Sequence, residues 1–227
     1  MAIICKDYNL LFIMTPRTAC TAIGDLLCKE YGGEYLPKED ILNSNGHIKL
    51  QKKHSTLGEL INYGYITKEK ANSMIKFATV RNPFDSLVSL YLKKRYKYKP
   101  LLQDPNSWVS RTPRYVKDIH YCQKHSFNQW VLRRSYRKII KRLLGGNPSM
   151  FGAYMKGVDV ILRYESISKD LESFFASNGI PTVGKIPEKN RTEERKKKDF
   201  KEYYTPFTKW AVGFAYNFDL KTYGYKF

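Results

Sequence analysis

No Cys-x-x-Cys pair occurs in the 227 residues, so Cys5, Cys20, Cys28 and Cys122 form neither a zinc finger nor a dithiol redox motif. Scattered thiols suggest a reducing compartment. No apolar run approaches the ~20 residues needed to span a bilayer. Lys6 and Asp7 interrupt the N-terminal apolar residues before a signal peptide could form. These absences predict a soluble, intracellular protein. Three site motifs are also missing: the G-x-x-x-x-G-K-[ST] nucleotide-triphosphate loop, the G-x-G-x-x-G dinucleotide turn and the H-E-x-x-H metal helix. No internal repeat or low-complexity segment is present. Acidic residues are scarce, with 21 Asp and Glu against 40 Lys and Arg, for a net charge of +19. Such a field attracts nucleic acid, anionic membrane, anionic polysaccharide or a phosphorylated cofactor, and does not choose among them. A simple bias towards lysine for solubility gives the same count.

What is present is a chain with 42% hydrophobic and 15% aromatic residues, enough to fold as one domain over residues 1–227. Its organising stretch is Leu10 to Leu27. Leu10–Met14 has the length of a buried strand. Thr15-Pro16-Arg17-Thr18-Ala19-Cys20-Thr21 is a turn of small and hydroxyl residues around one cation. Ala22 to Leu27 resumes an apolar pattern at helical spacing, so a helix is predicted over 18–31 and is stopped by Gly32-Gly33. A strand that turns through small residues into a helix offers an anion unpartnered N–H groups and the positive end of a dipole. Arg17 adds a forked cation. Ile75–Val80 is a second buried strand, running into Arg81-Asn82-Pro83, where Asn82 caps a helix that Pro83 opens. Val158–Leu162 is a third strand, followed by an amphipathic helix over 166–178. Helix starts are expected at Ser55 and Thr67. Residues 97–124 carry Pro100, Pro105 and Pro113 and read as the least regular part, within a variable insertion at about 97–157. The alternation of strands and helices predicts an α/β fold with a central, mostly parallel sheet flanked by helices.

In such a sheet ligands bind beyond the carboxyl ends of the strands, where Arg17 and Arg81 would both lie. Ser89 falls two turns along the helix after Arg81. Two anion positions on one edge suit a ligand with two separated phosphates.

Thr15 to Thr21 resembles the 5′-phosphosulfate loop of the sulfotransferases, P-K-[ST]-[GA]-[ST]-[ST]. Arg81 to Tyr91 resembles their 3′-phosphate motif, R-N-P-x-D-x-x-x-S-x-Y. Lys53-His54-Ser55-Thr56-Leu57-Gly58-Glu59-Leu60 is similar to the His-containing segment of carbohydrate-type sulfotransferases. Arg163-Tyr164-Glu165, Asn190-Arg191-Thr192 and the closing aromatic tail are similar to their later elements. The resemblance implies a P-loop-like three-layer fold. It also implies transfer of a sulfuryl group from 3′-phosphoadenosine 5′-phosphosulfate (PAPS) to an acceptor hydroxyl or amine, without a metal. Arg17, Thr18, Ala19, Cys20, Thr21 and Ala22 would then hold the 5′ side. Arg81 and Ser89 would hold the 3′-phosphate, Tyr164 the adenine unless it only packs, and Asn190, Arg191 and Thr192 would close over the cofactor. Arg17 stands where the family usually has lysine, and Ala19 in place of Gly implies that the loop needs no positive φ there.

His54 is the expected general base, kept neutral by Lys52, Lys53 and the positive field. His47 is the rival base. The resemblance and the basic surface point to a glycan acceptor, already anionic in one reading, with another polar metabolite or a lipid left open. Carbohydrate sulfotransferases of complex cells mostly carry a membrane anchor, and no such apolar run occurs here, so the resemblance also implies a cytoplasmic enzyme of bacterial or viral type. The alternatives from other classes are a basic nucleic-acid-binding protein and a nucleotide-dependent kinase without the usual Walker motif.

Overall fold

The computed structural model describes residues 2–186, 195 and 198–227. In chain order they form β1 (Ala2–Cys5), β2 (Leu10–Ile13), α1 (Cys20–Glu30), β3 (Glu34–Leu36), β4 (Ile41–Leu42), β5 (Ile48–Leu50), α2 (Leu57–Asn62), α3 (Lys68–Asn72), β6 (Ile75–Val80), α4 (Pro83–Leu92), α5 (Pro113–Lys124), α6 (Phe127–Leu143), α7 (Gly152–Met155), β7 (Val160–Arg163), α8 (Ile167–Ser177), α9 (Pro206–Ala215) and α10 (Asn217–Thr222). These residues divide into two compact units. One is drawn from residues 2–42, 49–81 and 151–186, the other from 43–48, 82–150, 195 and 198–227.

The first unit is built on a five-stranded sheet of order β3-β1-β2-β6-β7. β2 pairs with β6 and β6 with β7 in parallel, whereas β1 is antiparallel to both β2 and β3. Only β1 therefore runs against the others, and the sheet is mixed but mostly parallel. The central strands β1, β2 and β6 are almost wholly buried and, apart from Lys76 and Thr79 of β6, apolar, because both of their faces are covered. On one face Ile3, Phe12 and Phe77 pack against Ile23 and Leu27 of α1 and Phe174 and Phe175 of α8. On the other, Ile4, Leu11, Ile13 and Ala78 pack against Leu57 and Leu60 of α2 and Ala71 of α3. Gly24 lets α1 lie close to the sheet, since a Cβ there would come within 2.7 Å of Ile3 Cδ1.

The second unit is helical. Its core joins Phe84, Leu87 and Tyr91 of α4 to Trp130 and Val131 of α6 and Val212 and Ala215 of α9. Asn82 caps α4 by accepting the Phe84 N–H at 3.0 Å, with Pro83 in the first turn, as its sequence requires. Residues 93–97 continue α4 as a π-helical turn that buries Lys93 and Lys94. Lys94 is held there by an ion pair with Asp118, whose other oxygen accepts the Trp130 indole N–H at 3.1 Å.

Two boundaries differ from expectation. Thr56, not Ser55, caps α2, because Thr56 and Glu59 form a reciprocal capping box. The stretch 97–124 contains the twelve-residue α5, which Pro113 opens instead of breaking.

Phe77 is fully buried, stacked on Phe12 at 4.7 Å and tilted against Phe174 at 4.9 Å. Phe77→Ala should lower the unfolding free energy by about 3–5 kcal/mol, read as a reduced midpoint in urea with the slope unchanged.

Candidate active site

β2, β6 and β7 are parallel neighbours, in register at Ile13 with Ala78 and at Val80 with Arg163. Their carboxyl ends release three segments side by side: the loop 14–19, Arg81 and Tyr164. This is the edge on which open parallel sheets bind ligands.

The loop is fixed from inside. Thr15 and Thr18 are fully buried, and the Thr18 hydroxyl donates to the Thr15 carbonyl at 2.8 Å. With its single proton so used, Thr18 accepts from the Thr79 hydroxyl at the end of β6. The Thr18 side chain therefore ties the loop to the sheet, leaving its backbone N–H as the group that can meet a ligand. Arg17 and Ala19 both take left-handed conformations, with φ of 70° and 58°. The expectation that Ala19 needs no positive φ is overturned. Each such residue costs roughly 1–2 kcal/mol, and the conformation persists because the surrounding contacts impose it. Alternation into the left-handed region turns successive N–H groups towards one concavity, an anion-binding nest.

Ala19 is also the N-cap of α1, and no side chain caps that end. The first intrahelical bond runs from Ile23 N–H to Ala19 O at 3.1 Å. The N–H groups of Thr21 and Ala22 precede it in the first turn, where an α-helix supplies no acceptor of its own. The buried Thr15 Oγ1 has no hydrogen-bond partner among the described residues.

Arg81 is 5% exposed. Its Nη1 donates to the Arg17 carbonyl at 3.0 Å, and its guanidinium lies 4.0 Å from the centre of the Tyr164 ring. Tyr164 thus packs against the cation, and one guanidinium donor braces the loop at its left-handed residue. His54 sits at φ 70°, with Nδ1 2.9 Å from the Met14 carbonyl. A carbonyl only accepts, so Nδ1 carries the hydrogen and Nε2 keeps its lone pair. Burial of the ring lowers the His54 pKa to about 4. The bond to Met14 opposes the shift, and the cations Lys53 and Arg17 add to it.

A sequence model of the sulfotransferase family matches residues 1–226. The chain belongs to that family. No curated protein and no solved structure matches it.

The sulfotransferase therefore gathers Arg17, Thr18, Ala19, Cys20, Thr21, Ala22, His54, Arg81 and Tyr164 around one edge of the sheet of its first unit. Ser89 is buried on α4 in the helical unit. Asn190, Arg191 and Thr192 lie outside the described residues. His47 is exposed in the turn between β4 and β5, its N–H bound to Asn43 Oδ1 at 3.0 Å. Among the described residues no group of three or more His, Cys, Asp or Glu gathers as metal ligands. No helix among them is long and apolar enough to cross a membrane.

Two contacts of the loop do not follow from the sequence pattern. Lys53 Nζ lies 3.4 Å from Thr21 Oγ1, bringing a second cation to the start of α1. Its place beside His54 in the basic run was the available signal. Thr79 anchors the loop through Thr18, and nothing in a strand threonine announces that role.

The electrostatics fix how His54 responds to pH. Its folded pKa lies below the ~6.5 of an unperturbed imidazole, so the unfolded chain binds the proton more tightly. The stability it contributes is present above ~6.5 and is lost as the pH falls through about 4. Followed by NMR, the His54 imidazole should remain neutral at pH 5.5 and titrate near 4, with Nδ1 protonated throughout. A midpoint near 6.5 would contradict the burial.

Proposed function

We propose that the protein transfers a sulfuryl group from PAPS to an acceptor hydroxyl, in line, with His54 as general base. The carrying observation is the loop 14–19. It carries two left-handed residues, Arg17 and Ala19, and leads into an uncapped helix start, with His54 hydrogen-bonded to the loop's first carbonyl. The buried, unpartnered Thr15 hydroxyl and the absence of a side-chain cap fit an anionic group at that place. When bound, PAPS supplies the sulfuryl group and a bisphosphate leaving group.

In this reading the N–H groups of residues 18–22 and the Arg17 guanidinium hold the 5′-phosphosulfate. They offset the charge that grows on the leaving oxygen. Arg17 remains protonated and so acts by charge alone. Arg81 takes the 3′-phosphate, to which the planar guanidinium can present two parallel donors. By the family pattern Ser89 shares that phosphate, Tyr164 borders the adenine, and Asn190, Arg191 and Thr192 close the site. The P-loop-like fold assignment rests on the same pattern and on the strand–loop–helix at 10–30.

His54 Nε2 receives the acceptor proton. A pKa of about 4 makes it a weak base that is almost wholly neutral at pH 7. Strength is not required, because the hydroxyl proton becomes strongly acidic as the new oxygen–sulfur bond forms. No protein carboxylate or metal is assigned a part. The acceptor is a glycan or other polar metabolite, and the net charge of +19 favours one that already carries negative charge.

His54→Ala should lower kcat by about 10² to 10⁴ and leave the affinity for the product 3′,5′-bisphosphate unchanged by calorimetry. Arg81→Ala should weaken that affinity by at least about tenfold. Full turnover by either variant across an acceptor panel would refute these roles. Arg17→Lys should keep bisphosphate binding, as it preserves the cation while losing the fork.

A further inference from the structure

In the helical unit α6 and α9 combine exposed apolar side chains with an excess of positive charge, although Arg134 approaches the Asp118 carboxylate at 3.9 Å and the half-buried Lys138 donates to the Ser149 carbonyl at 3.2 Å. α6 carries six cations (Arg133, Arg134, Arg137, Lys138, Lys141 and Arg142) and no Asp or Glu. On its outer side Tyr136, Ile140, Leu143 and Leu144 recur at helical spacing. Leu143 is 70% and Leu144 81% exposed. The neighbouring α9 presents an aromatic ridge. Phe207 stacks on Trp210 and Trp210 on Phe214, each at 5.9 Å, and Phe207 and Trp210 remain 61% and 58% exposed. Arg142 joins the two helices, its guanidinium 5.0 Å from the Phe214 ring. Around it Arg142, Lys209, Trp210 and Phe214 line a shallow depression. Water gains nothing from leucines and tryptophan held out in this way, and exposed apolar patches of this kind mark docking surfaces.

We propose that this α6–α9 surface docks on an anionic lipid bilayer. Its chemistry is that of a helix lying in a membrane interface: cations for the headgroups, leucines for the acyl boundary, and Trp and Tyr at the level between them. Charge decides against the other occupants. A second copy would bring the six α6 cations and +19 of net charge against their like. A protein partner's contact core would be depleted of charge, whereas Arg137 and Lys141 are interleaved with Tyr136 and Ile140. A soluble polyanion would use the cations and leave Leu143 and Leu144 in water. This inference does not depend on the reaction assigned above.

The test is flotation of the full chain with vesicles of phosphatidylcholine alone and of phosphatidylcholine mixed with phosphatidylserine. Binding is expected only to the serine-containing vesicles and should weaken as salt is raised. Leu143→Ser with Leu144→Ser, and separately Arg137→Gln with Lys141→Gln, should each reduce it at least about tenfold. Without any variant, lipid with brominated acyl chains should quench the emission of the exposed Trp210, and Trp210→Phe should remove the quenchable fraction. Failure to float with anionic vesicles overturns the proposal. So does flotation unaltered by the serine pair, or without quenching, since either reduces the surface to a polyanion site for heparin or duplex DNA. A dimer in light scattering that the serine pair abolishes overturns it in favour of a second copy.

Discussion

The parallel pairing of β2 with β6 is the constraint on which the candidate site depends. It places the loop after Ile13 next to the end of Val80, so that Thr18 can reach Thr79 and Arg81 can reach the Arg17 carbonyl. Those two contacts hold Arg17 and Ala19 at positive φ, and that conformation turns the loop N–H groups inward. A slip of one residue would exchange the two faces of β2. Phe12, stacked on Phe77, would then point towards α2, and Leu11 towards α1. The aromatic and aliphatic packing on opposite faces thus locks the register that builds the anion cradle. Stability and the geometry of the candidate site rest here on the same contacts.

Much of this was legible in the sequence, for reasons that differ by element. The strand–loop–helix at 10–30 and the Asn82–Pro83 start of α4 are local signals, carried by residues whose backbone preferences act where they stand. β1 was not separated from β2, because Ala2–Cys5 and Leu10–Ile13 are both apolar on each face and give no alternation to count. The left-handed Ala19 was missed because the inference ran from residue to conformation, whereas here distant contacts impose a conformation that alanine resists. α5 was hidden by the density of prolines, and Pro113 marks its start instead of a break. The Arg81–Tyr164 stacking joins residues far apart in the chain and belongs to the pairing of β6 with β7, not to any motif.

The neutral state of His54 was anticipated, but for the wrong leading cause. The causes visible in the sequence are Lys52, Lys53 and the general positive field. In the structure burial of the ring is the largest influence, Lys53 and Arg17 add to it, and the bond to the Met14 carbonyl works against it. The difference matters because a field is screened by salt while desolvation is not. The neutral imidazole is therefore a property of the fold and survives changes of ionic strength. The surface charge is left to act on molecules that approach from outside.

Arg17 is where these strands of argument meet. A lysine there could lend its proton to a leaving oxygen, whereas a guanidinium offers only charge and geometry. Under the proposed reaction the departing 5′-phosphate is a stable anion and needs no proton, so a permanent cation is sufficient. In that reading the one proton that must move is the acceptor's, and it passes to His54 Nε2, which keeps its lone pair because Nδ1 donates to the Met14 carbonyl. The site then separates its two duties cleanly: fixed positive charge on the leaving side and a single titrating group on the attacking side. That division follows from residues whose positions the same loop controls. Arg17 contributes its carbonyl to Arg81 and a lowering influence to the pKa of His54.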